Sequence, residues 1–71
     1  MFDIDFDFYN LHKGIIHHSC QMRSIPRINE FVAFNNVFYQ VTNVTYTIND
    51  SKNAFVCPMN PVIHIYAKNV D

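Results

Sequence analysis

Two arginines, Arg23 and Arg27, stand on either side of Ile25-Pro26 and are the only arginines in the chain. A guanidinium offers a rigid fork of donors that grips phosphate or carboxylate at two points and stacks on bases or aromatic rings. Tyr39, Tyr46 and Tyr66 follow downstream, and in a small domain they come within reach of that pair. Arg23, Arg27, Tyr39 and Tyr46 are therefore the expected ligand-binding set, framing a pocket for a nucleotide-like anion. The competing use of Arg27 is an ion pair with Glu30 across a turn or with an aspartate of the first strand, a surface contact worth little.

Asp3, Asp5 and Asp7 alternate with Phe2, Ile4, Phe6 and Phe8. In a strand this places the carboxylates on one face, adjacent members about 6.5 to 7 Å apart. Such a row could hold a divalent cation or repel nucleic acid, but it equally makes a solvated face that guards an edge strand against unwanted pairing, which is the expectation here. His17, His18 and Cys20 supply zinc-ligand types, with His12, Cys57 and His64 elsewhere. Alternation in a strand leaves only His18 and Cys20 on a common face, and no C-x-x-C spacing accompanies them. They are expected to pack as a neutral imidazole and a small apolar thiol. A Cys-His nucleophilic pair lacks an orienting third group. No catalytic residue, metal or cofactor is expected, and the chain reads as a non-enzyme.

The elements that must position these residues are strands. Phe2 to Tyr9 alternates cleanly and predicts a half-buried strand. Asn10 to Gly14 predicts a turn, with Gly14 where positive φ is easiest, and Ile15 to Met22 a second strand returning beside the first. Pro26 holds Ile25 extended. Phe31 to Phe34 and Val37 to Ile48 predict a hairpin closed by Asn35-Asn36, since Asn accepts the positive φ that a type I′ turn needs at both central positions. Within the second arm the apolar set changes phase, from Val37, Tyr39 and Val41 to Val44, Tyr46 and Ile48. A bulge or bend near Thr42-Asn43 is the way to keep both halves on the core side. A polar loop over Asn49 to Asn53, a short strand over Ala54 to Cys57, a turn bracketed by Pro58 and Pro61, and a last strand over Val62 to Lys68 complete the reading. No window sustains a 3.6-residue period. Residues 1–71 are expected to form one all-β domain, a small antiparallel, SH3-like or open β-barrel of about six short strands.

A domain of 71 residues has a core only marginally able to offset chain entropy. Two well-separated cysteines do not make a disulfide scaffold, whereas 49% hydrophobic and 15% aromatic residues are rich for so small a core. A homo-oligomer follows as the expectation. Five lysines and arginines against six acids give no basic footprint for DNA. No apolar run reaches the roughly 20 residues that span a bilayer, and the alternating N-terminus is unlike a signal peptide, so a cytoplasmic protein without membrane contact is expected.

The segment Pro26-Arg27-Ile28-Asn29-Glu30-Phe31-Val32, followed by Phe38-Tyr39-Gln40-Val41-Thr42-Asn43-Val44, resembles a pattern of small phage and prophage β-barrel proteins of unknown function: Pro-Arg, an apolar residue, Gly, Asp or Glu, any residue, Val, then Tyr-x-Val-x-x-Val. Asn29 stands where Gly is usual, a mild departure because Asn also tolerates left-handed geometry. The resemblance covers the central third of the chain and implies a small barrel of viral origin. By analogy at the level of fold, it implies an accessory binding protein that inhibits a host process such as anti-phage defence, by binding a host protein or sequestering an anionic or nucleotide signalling ligand. The alternative is a minor structural or assembly component of a virion.

Overall fold

Alternation of apolar and polar residues, interrupted by Asn and Gly, builds one five-stranded sheet among the described residues. The computed structural model describes residues 1–48 and 62–70. The strands are β1 (Phe2–Asn10), β2 (Gly14–Met22), β3 (Phe31–Phe34), β4 (Val37–Thr47) and β5 (Val62–Asn69), in the spatial order β2-β1-β5-β4-β3. The loop over Asn49 to Asn53, the strand over Ala54 to Cys57 and the turn at Pro58 and Pro61 lie outside the described residues. No helix among the described residues is long and apolar enough to cross a membrane.

Both described hairpin turns are made by residues suited to left-handed backbone. Gly14 closes the β1–β2 hairpin at φ 77°. Asn10 Oδ1 accepts the backbone N–H groups of His12 and Lys13 at 2.8 and 3.1 Å, an Asx-type turn. Asn35 and Asn36 take φ 51° and 65° between β3 and β4, both positive as a type I′ turn requires. The paired residues that flank them, Phe34 and Val37, fix the hairpin register.

The phase change in β4 is a bulge. Val41 pairs with Ala67 and Asn43 with Tyr66, so Thr42 is the extra residue, and its Oγ1–H donates to the Tyr66 carbonyl at 3.1 Å. The bulge keeps Tyr39 and Val41 on the same side as Val44 and curls the sheet. The result is an open, all-β half-barrel. Its least expected pairing is parallel: β5 runs beside β1 in the same direction, Ile4 opposite Ile63 through Tyr9 opposite Lys68, and antiparallel to β4 on its other side.

The core sits on the inner face of the three middle strands: Ile4, Phe6 and Phe8 from β1, Tyr39 and Val41 from β4, and Ile63, Ile65 and Ala67 from β5, all at most 3% exposed. Phe8 is its centre. Its ring stacks on Phe6, on Phe34 and, tilted, on Tyr39, with centroids 5.0 Å (Phe6–Phe8), 4.8 Å and 4.6 Å apart. Phe34 also meets His18 at 4.8 Å, so an aromatic bridge spans the gap between the outermost strands, β2 and β3, where no ladder closes the barrel. The one buried polar side chain, among the described residues, is Asn10, whose Nδ2 donates to the Tyr39 hydroxyl at 3.0 Å.

Asn36→Val should destabilise the fold by about 1 to 2 kcal/mol, since a β-branched side chain resists left-handed backbone, whereas Asn35→Gly should be neutral or slightly stabilising. Thermal melts of the two variants check this. Equal melting temperatures for both would place the reversal of the chain elsewhere.

Candidate functional site

The arginine-bearing segment between β2 and β3 is rigid for a reason that its sequence supplies. Asn29 at φ 75° allows the Glu30 N–H to donate back to the Arg27 carbonyl at 3.0 Å, while Glu30 Oε1 accepts the Arg27 backbone N–H at 2.6 Å. A positive φ at the third residue is the type II pattern, for which Asn substitutes when Gly is absent. The turn is then fastened to β4: the Asn29 N–H donates to the Val41 carbonyl and the Val41 N–H to the Glu30 carbonyl, each at 2.9 Å. A side chain carried on Arg27 therefore leaves a fixed backbone.

Beside this turn lies a groove of about 770 Å³, within the range typical of small-ligand sites. Arg23 and Arg27 line it together with Phe2, Ile25, Val44 and Tyr46. Glu30 also borders the groove, but it pairs with backbone rather than with the Arg27 guanidinium. Among the described residues, neither arginine takes part in an ion pair; the two that exist belong to Asp7. The structure thus brings Arg23, Arg27 and Tyr46 to one groove. Tyr39, expected beside them, lies instead in the core at 1% exposure with its hydroxyl on Asn10. The reason is depth, not parity: with the bulge between them Tyr39 and Tyr46 both face inward, but Tyr39 packs against Phe8 in the core while Tyr46 borders the groove. Tyr66 is on the opposite, outer face, stacked on His64 at 4.7 Å.

The aspartate stripe also has a different role from the one expected. β1 is an interior strand, between β2 and β5, so the carboxylates guard no edge. Each meets the polar residue directly opposite on β2. Gln21 Nε2 donates to Asp3 at 2.9 Å, Ser19 Oγ to Asp5 at 2.6 Å, and His17 Nδ1 to Asp7. Asp7 has a second partner, His64 Nε2 on β5, at 2.7 Å. A carboxylate only accepts, so both imidazole nitrogens facing it carry hydrogens. Partial burial acts to raise the Asp7 pKa. The hydrogen bonds from His64 and His17, with their charge when protonated, outweigh it and hold the carboxyl below its ordinary 3.8.

His17 lies on this outer face, and His18 and Cys20 on the inner one, as alternate positions must. Among the described residues no three His, Cys, Asp or Glu side chains converge to hold a metal ion, and Cys57 is outside those residues. No family model, no curated protein and no solved structure matches the chain.

Because the Asp7 pKa is lower folded than unfolded, its stabilisation is complete above the ordinary value of 3.8 and is lost as pH falls through the lower folded value. Asp7→Asn should therefore lower the melting temperature by a few degrees at neutral pH and flatten the fall in stability across that acid range. Melts of both proteins from neutral pH to strong acid test it. Parallel acid limbs would show that Asp7 contributes nothing through its charge.

Proposed function

We propose that this is a non-enzymatic binding protein that captures a small anionic ligand of nucleotide type in the groove between the Arg23–Glu30 segment and β4. The observation that carries the reading is the convergence of both arginines with Tyr46 and Phe2 on one groove. Guanidinium forks suit phosphate, and an aromatic ring gives a base a stacking surface worth roughly 1 to 3 kcal/mol. The pinned turn lowers the entropy lost on gripping the ligand. A phage-type origin, with sequestration of a host signalling nucleotide in the cytoplasm as its anti-defence use, is supported by the resemblance of Pro26–Val32 and Phe38–Val44 to small phage barrels. That support is analogy of pattern, not of site.

The test is native mass spectrometry and calorimetry with a panel of ribonucleoside mono-, di- and triphosphates, and with inorganic phosphate as the minimal anion. Arg27→Ala should abolish nucleotide binding while leaving the melting temperature within a few degrees, and Tyr46→Ala should weaken it about tenfold or more through lost stacking. Asp5→Ala, on the outer face, should bind as the unaltered chain does. Full binding by Arg27→Ala together with loss in Asp5→Ala would move the contact surface to the acidic face and end the anion-capture reading.

A further inference from the structure

β2 ends the sheet, and among the described residues no backbone hydrogen bond reaches its outer edge. Edge strands are ordinarily blunted by charge, proline, a bulge or short length. β3, at the other end, is only four residues long. β2 has none of these devices. Its nine residues, Gly-Ile-Ile-His-His-Ser-Cys-Gln-Met, include no Lys, Arg, Asp, Glu or Pro, they pair with β1 without a register shift, and none is buried.

The sequence of that edge fits its own copy. Antiparallel pairing about a two-fold axis at Ser19 sets Ser19 opposite Ser19, His18 opposite Cys20, His17 opposite Gln21 and Ile16 opposite Met22. Every pair in this register joins residues of like parity, so the half-buried Ile16, Cys20 and Met22, which pack against the core, meet partners on the inner face. The outer-face pairs, His17 with Gln21 and Ser19 with Ser19, are polar. Charge disfavours one neighbouring register: with its axis at His18, Lys13 and Arg23 of the other copy would meet just beyond the ends of the paired strands, which is unfavourable. We propose that β2 is a dimer interface, joining two copies of this chain edge to edge into one continuous ten-stranded sheet through an isologous contact.

Ser19→Lys tests the proposal, because the axis brings a substituted residue face to face with itself. The new ammonium can still pair with Asp5, which Ser19 contacts now, so the monomer keeps a partner for that carboxylate. Analytical ultracentrifugation across the micromolar range should give the mass of two chains for the unaltered protein and of one for Ser19→Lys, with matching circular dichroism spectra. Ala33→Lys, on the exposed β3 edge, should remain dimeric. If Ser19→Lys fails to fold, amide hydrogen exchange of the unaltered protein decides: protection over residues 16–22 should rise with concentration while that of β3 does not change. A monomer at every concentration, a dimer that survives Ser19→Lys in a folded chain, a dimer split by Ala33→Lys, or protection over residues 16–22 that is independent of concentration would each overturn the proposal.

Discussion

One extra residue in β4, Thr42, governs the architecture. Without it the apolar residues on one side of position 42 would face water, since a strand's side chains alternate strictly. With it, Tyr39, Val41 and Val44 share the inner face, the strand bends, and the sheet curls far enough for Phe34 of β3 to reach Phe8 and His18. The cost of a bulge is an unpaired position in the ladder, and the Thr42 hydroxyl offsets it by donating to the Tyr66 carbonyl. The pinned Arg27–Glu30 turn depends on the same place, because its two ladder bonds go to Val41, the residue just before the bulge.

The two faces of the sheet are held together by different physics. Inside, aromatic stacking and aliphatic burial dominate, and the polar link from Asn10 to Tyr39 satisfies groups that would otherwise be costly to bury. Outside, β1 presents a carboxylate at every second residue and β2 answers each with a donor. Asp7 extends this lattice to β5 through His64, so one side chain ties the β1–β2 hairpin to a strand far along the chain. The outer face is therefore an ordered polar surface, and the groove with the arginines is on the other side of the molecule's chemistry.

Much of this was legible in the residues. The position of β1 followed from alternation, the I′ turn from Asn35-Asn36, the left-handed residue from Asn29 in its turn, and the bulge from the phase change between Val41 and Val44. Arg23, Arg27 and Tyr46 were expected together only as neighbours in a small barrel, and all three border one groove. Tyr39 was misplaced because its phase marks it as inward but not how deep it lies; depth depends on Phe8, a partner 31 residues earlier. The donors opposite Asp3, Asp5 and Asp7 could have been found from the hairpin register alone, in which paired positions sum to 24. His64 could not, because nothing local announces that β5 lies parallel to β1.

That placement of β5 has a bearing on how the chain reaches its fold. Among the described strands it is fifth in chain order yet third in the sheet, and Ile63, Ile65 and Ala67 fill the middle of the core. Both hairpins, β1–β2 and β3–β4, form from near neighbours, whereas β5 pairs with β1 from far along the chain. Neither can cover Phe6, Phe8 or Tyr39 until β5 slides between them. Such non-local closure is slow compared with hairpin formation, and apolar surface exposed in the interval is what aggregation and chaperones act upon. The two hairpins thus keep open apolar faces until β5 joins them, and the speed of that step sets how long the folding chain is exposed to aggregation.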